Sequence, residues 1–127
     1  MYDIGSLALV NLLPTPAAAG LTVTTNGAGV DAKDFIGIGA LVLDSAAGTG
    51  TTPTLNVKIQ DSDDNITFAD LATPVAFAQV GVGALQQRLA LNMDGARRYI
   101  RVVATLGGTT PSFLASVNLL GRKQVIP

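Results

Sequence analysis

The chain has 127 residues and a mass of 12.9 kDa, with 48% apolar residues, 13% charged residues and a formal net charge of −1. At this mass one domain buries roughly two thirds of its unfolded surface, whereas two halves of about 60 residues would each be marginal, so a single domain over 1–127 is expected. His, Cys, Trp and Glu are absent and the acidic complement is nine Asp, which excludes the usual zinc sites, thiol nucleophiles, Ser-His-Asp triads and disulfide scaffolds.

Leu7 to Leu13 is an apolar run followed by Ala17-Ala18-Ala19, superficially like a signal peptide, but the start Met1-Tyr2-Asp3 is acidic and Asn11 interrupts it. At about seven residues it is too short to span a bilayer and reads as a strand. Asn26-Gly27 is a hairpin-grade turn. Phe35 to Leu43 is apolar in both phases of a strand, which suits a central strand covered on both sides or one whose outer face meets another chain. Gly37 and Gly39 within it would let a second backbone approach closely. The stretch from Ala46 to Pro53 reads as a flexible loop.

Thr54 to Gln60 alternates cleanly, with Leu55, Val57 and Ile59 on one face and Asn56, Lys58 and Gln60 on the other. Asp61-Ser62-Asp63-Asp64-Asn65 then begins like an EF-hand loop, but Ile66 stands where the sharp-turn Gly belongs and Ala72 where the closing carboxylate belongs. A tight turn into a short strand at Ile66-Thr67-Phe68 is the stronger reading, and no bound metal is expected. Alternation resumes in Leu85 to Asn92, in Arg98 to Leu106 and in Phe113 to Leu120, separated by turn signals at Asp94-Gly95 and Gly107-Gly108. No segment carries a helical period long enough to stand. The expected fold is all-β, a single antiparallel β-sandwich or jelly roll of about eight strands, with Leu55, Val57, Ile59, Phe68, Ile100, Val102, Phe113 and Val117 in one core.

Charge is unevenly placed along the chain. Residues 1–70 carry eight Asp against Lys33 and Lys58, and residues 71–127 carry Asp94 against five Arg and Lys123. Such an asymmetry suits contact between copies or with an acidic surface only if it survives in space, since sheets interleave distant segments. The basic cluster Arg97-Arg98-Tyr99-Ile100-Arg101 lacks the broad footprint and the stacking aromatics of a nucleic-acid site, and the pI is about 5.0. Serine and threonine are plentiful, but no base is present to activate them, so no enzyme, no cofactor and no catalytic residue is expected.

Two stretches carry a family likeness: Val57 to Leu71, a strand ending in an Asp/Ser turn, and Ala96 to Phe113, an Arg-Arg-Tyr strand leading through a Gly-Thr-x-Pro turn and on to Gly121-Arg122-Lys123. In this order they resemble small structural proteins encoded beside the major capsid protein of tailed bacteriophages, the capsid decoration or cement proteins. The likeness covers about half the chain, residues 54–123, and departs at Asn65, where Gly is common, and at Phe68, where Trp is common. It implies a virion protein, made in the host cytoplasm, often trimeric, that sits on the outer capsid and clamps neighbouring capsomers. The implied partners are the major capsid protein and other copies of the chain. Arg97, Arg98, Arg101, Arg122 and Lys123 are the candidate partner contacts, steering the protein toward acidic capsid surface. An N-terminal arm (1–13) and a C-terminal tail (121–127) are the candidate extensions across a neighbour, the alternative being that the arm is the first strand. A tail or adaptor component and a carbohydrate-binding sandwich are the other readings, the second poorly served by a chain with no Trp and two Tyr.

Overall fold

Strands that are apolar on one face need a second apolar layer, and this chain supplies it by packing two antiparallel sheets against each other. The computed structural model describes residues 7–13 and 20–123. Its strands are β1 (Leu7–Leu13), β2 (Thr25–Asn26), β3 (Val30–Asp31), β4 (Phe35–Ser45), β5 (Thr49–Ser62), β6 (Ala69–Asp70), β7 (Leu85–Asn92), β8 (Tyr99–Ser112) and β9 (Ala115–Lys123). One sheet has the order β1-β9-β4-β7, and the other has β2-β8-β5-β6 with β3 also on β8. Thr25–Asn26 pair with Ala104 and Val103, and Val30–Asp31 with Ile100 and Tyr99, so β2 and β3 are two pieces of one interrupted strand. Counted that way, eight strands form four nested antiparallel pairs: β1 with β9, β2/β3 with β8, β4 with β7, and β5 with β6. A long hairpin wrapped so that most connections cross between sheets is a jelly roll.

The core follows the alternation. Leu55, Val57, Ile59, Ile100, Val102, Phe113 and Val117 are each at most 1% exposed, and Leu41, Leu43, Leu91 and Leu119 join them from the four-stranded sheet. Gln87 sits in the inward phase of β7, where its Oε1 accepts the Ala78 N–H at 2.8 Å, so the oxygen of this half-buried amide is satisfied.

Phe68 corrects the expected core. It is half-buried and lies outside the core cluster, with the Arg101 guanidinium 4.3 Å from its ring centroid. The expected strand at 66–68 does not form: Ile66 is 82% exposed, and pairing resumes at Ala69–Asp70 opposite Asp61 and Gln60. The reason is the Asp64 turn, whose hydrogen bonds hold residues 62–67 in a closed loop.

The expected loop from 46 to 53 is corrected in the same way, because Thr49–Pro53 belongs to β5 and pairs with the distal part of β8. The two partners carry the same tetrapeptide, Gly-Thr-Thr-Pro, at 50–53 and 108–111. Thr51 faces Thr109 at the centre, Thr49 faces Ser112 and Thr54 faces Gly107, an arrangement with local two-fold symmetry. Register shifts lie on either side of the Thr51–Thr109 pair. The backbone repeats too, with positive φ at Gly50 (110°) and Gly108 (99°) and at Thr52 (46°) and Thr110 (47°).

Of the candidate arm, residues 7–13 form strand β1, with Leu12 and Leu13 1% and 3% exposed, so this part is sandwich and not an extension. Residues 1–6 of the arm lie outside the described residues. Of the candidate tail, residues 121–123 complete β9, and 124–127 lie outside the described residues.

Candidate interaction surface

Strand β4 runs between β9 and β7, and its two faces have different fates. Phe35, Leu41 and Leu43 point into the core, while Ile36, Ile38 and Val42 point outward and are 37%, 73% and 39% exposed. Of the two readings of this doubly apolar strand, a central strand covered on both sides is not what the described residues show. Among the described residues nothing covers the outer face.

That face extends across the whole sheet. The register places Leu9, Leu120, Ala40 and Ala90 side by side on β1, β9, β4 and β7. The next outward row reads Asn11, Asn118, Val42 and Arg88, and the row on the other side reads Leu7, Arg122 and Ile36. Leu9 is 69% exposed, Leu7 46% and Leu120 42%. Single exposed apolar residues are ordinary, but adjacent ones across four strands make a patch of the kind that marks an interaction site.

A bulge raises one corner of the patch. Between Ile36 and Ala40 the pairing of β4 with β9 shifts register. Gly37 has φ of +70°, its N–H donates to Asp94 Oδ1 at 3.1 Å, and its carbonyl accepts the Met93 N–H at 2.8 Å. The bulge therefore puts Ile38 proud of the face. Of the two glycines, Gly37 makes the bulge, with open space where a Cβ would stand, and at Gly39 a Cβ would meet Leu119 Cδ1 at 3.0 Å and the Leu120 carbonyl oxygen of the neighbouring strand at 3.2 Å.

The basic candidates are divided between the sheets. Arg97 lies against Asp61, whose side chain is only 4% exposed: its Nε and backbone N–H each donate at 3.0 Å and its Nη2 lies at 2.9 Å. Asp63 lies 3.6 Å from its Nη1. Arg98 grips Asp31 in a bidentate pair at 3.2 and 2.9 Å and lies over the Tyr99 ring. Arg101 donates twice to Gln60 Oε1, at 3.1 and 2.8 Å, with Phe68 beneath it. Arg122 is on the outer face of the four-stranded sheet, and the Lys123 ammonium lies 5.6 Å from the Phe35 ring centroid. Two of the C-terminal arginines, Arg97 and Arg98, thus close on N-terminal aspartates and offset part of the charge asymmetry along the chain, while Lys58 and Asp70 pair at 3.0 Å within the N-terminal half. The acids respond: hydrogen bonding to Arg98 holds Asp31 below the usual carboxylate range, and Lys58 does the same for Asp70.

The Asp61–Asn65 segment is a capped turn. Asp64 Oδ1 accepts the N–H groups of Ile66 and Thr67, both at 2.9 Å, and the Ser62 hydroxyl at 2.8 Å, which lower its pKa to about 2. Asn65 takes φ of +61°, the left-handed conformation that a glycine would otherwise supply and that Asn tolerates. Asp61 is turned to Arg97, and among the described residues no group of three or more metal-ligating side chains converges.

Sequence reasoning missed the patch as a unit. Its signal was present in Leu9, Leu120 and Ile38, apolar residues in the outward phase of their strands, but only the register makes them neighbours. Neither a protein-family model nor a curated protein sequence matches the chain significantly.

Proposed function

We propose that this protein is a structural component of a bacteriophage virion that binds the outer surface of the assembled capsid and reinforces contacts between capsomers. The observation that carries the reading is the apolar face of the β1-β9-β4-β7 sheet, which no described residue covers, on a chain whose 54–123 segment resembles capsid decoration proteins. The major capsid protein and further copies of the chain are its partners in this reading. A ligand that binds the assembled shell and not the free subunits stabilises the shell by mass action, with no chemistry required of it.

Jelly rolls serve in both viral and lectin domains, so topology does not separate the virion reading from the carbohydrate one. The aromatic side chains favour the first. Phe35, Phe77 and Phe113 are buried, Phe68 lies under Arg101, and Tyr99 is half-buried beside Arg98. Among the described residues no aromatic face stands open to stack on a sugar ring.

Co-sedimentation tests the proposal. The purified chain, mixed with shells assembled from a tailed-bacteriophage major capsid protein, is expected to pellet to a saturating ratio and to stay in the supernatant with unassembled capsid subunits. Equal binding to shells and subunits, or no pelleting at all, would overturn the reading. Self-assembly into rings or tubes without shell binding would favour a tail or adaptor component.

A further inference from the structure

The uncovered sheet face has a side-chain relief that fits itself. Its central row reads large, large, small, small: Leu9 on β1, Leu120 on β9, Ala40 on β4 and Ala90 on β7. A two-fold axis lying in the interface, close to the strand direction and between β9 and β4, superposes β1 of one copy on β7 of the other and β9 on β4. Each large residue then meets a small one, Leu9 over Ala90 and Leu120 over Ala40. The same operation sets Arg88 over Asn11, whose amide oxygen accepts from a guanidinium, and Val42 over Asn118. Asp44 meets Ser116 and Arg122 meets Ile36, so no like charges are opposed.

We infer that this face is a two-fold interface between copies of the chain. Sheets packed face to face sit about 10 Å apart with their strands within about 30°, a geometry that two such faces can adopt. Four strands at about 4.8 Å and nine residues along β4 at about 3.3 Å give a projected area of roughly 570 Å². Side-chain relief enlarges the accessible area, which brings it to the low end of a specific interface, about 600 Å² per partner. The contact deepens the capsid reading by assigning the face it rests on to a second copy of the chain, so that a shell would meet the remaining surfaces of the pair. It yields a two-fold pair, where the family resemblance implies a trimer.

Sedimentation equilibrium of the full chain over about 1–100 µM tests it, with an expected approach to twice the monomer mass. Ala90→Lys, at an exposed position, is expected to weaken the pair at least about tenfold, while Thr105→Lys, on the outer face of the other sheet, leaves it unchanged. Leu9→Ala is expected to weaken it too, and the exchange Leu9→Ala with Ala90→Leu to restore most of the loss. Within one chain these residues lie three strand spacings apart, about 14 Å, so their coupling reports contact between copies. Thermal unfolding of each variant at high dilution establishes that the fold is retained. A strict monomer, a trimer, or a dimer indifferent to Ala90→Lys overturns the inference, and so does an exchange that restores nothing. A monomer that still pellets with shells would remove the pair and leave the capsid proposal in place, and a dimer that fails to pellet would do the reverse.

Discussion

Ile100 is fully buried, paired across to Asp61 and Val30 on either side, and faces the opposite sheet. Ile100→Ala is expected to cost about 2–5 kcal/mol in urea denaturation, the range for large-to-small changes where the surroundings cannot collapse. Arg97 and Arg98 are adjacent and both paired, yet their losses differ in kind. Without the Arg97 side chain the buried Asp61 carboxylate keeps the Arg97 backbone N–H as its donor, whereas Asp31, 38% exposed, turns to water. Arg97→Ala is therefore expected to lower the urea midpoint more than Arg98→Ala. Asp64 sets an acid limb. Its folded pKa, about 2, lies below the unfolded value near 3.9, so its contribution is complete above about pH 4 and is lost as pH falls through 2. Thermal melts across that window are expected to show a shallower decline in Asp64→Ala than in the native chain, with the native chain the more stable at neutral pH.

At the level of the element, the paired Gly-Thr-Thr-Pro segments at the distal end of β5 and β8 concentrate backbone demands. A Cβ at Gly108 would meet the Thr52 carbonyl oxygen at 2.5 Å, and φ there is +99°. Gly108→Ala is expected to destabilise by more than about 1 kcal/mol, through strain and clash together. Thr110 holds φ of +47°, which is costly for a β-branched residue, and Asn enters that region more readily. Thr110→Asn is thus expected to stabilise by up to about 1 kcal/mol, read as a rise in urea midpoint. The two strands explain each other: a bulge in one needs a matching departure in its partner, and the repeated tetrapeptide supplies it on both sides of the Thr51–Thr109 pair.

Over the whole molecule the first and last strands are neighbours. β1 pairs with β9 along nearly its full length and seals Leu12 and Leu13 against the core. Deletion of residues 1–13 is expected to abolish cooperative thermal unfolding, because it strips β9 of a partner and opens the core. Near-native melting of the deleted chain would show the strand to be an accessory. Ion pairs of Arg97, Arg98 and Lys58 with aspartates of the same chain leave little unbalanced charge on the five-stranded sheet. In the capsid reading, shell binding is accordingly expected to fall only shallowly with added salt, where steering by a basic patch would give a steep decline.

Local chemistry was enough to determine the class of fold. The period-two alternation of 54–60, 98–106 and 113–120, the turn residues between them and the missing helical period dictate strands that are apolar on one side, and the absent His, Cys and Glu shape what chemistry the chain can carry. Phe68 leaves the core because the alternation of 54–60 does not carry past a turn whose hydrogen bonds reset the phase. Residues 49–53 read as a loop in sequence and form a strand in space because Gly, Thr and Pro mark loops in isolation and a bulged ladder only beside a matching partner. The tertiary structure alone decided which strands are neighbours, and with that it decided the surface. Leu9, Leu120, Ala40 and Ala90 form one row only through register, and Arg97 gains its partner Asp61 only because pairing brings it from 36 residues away. Side-chain phase is a property of each strand, whereas adjacency is a property of the pairing between strands distant in sequence.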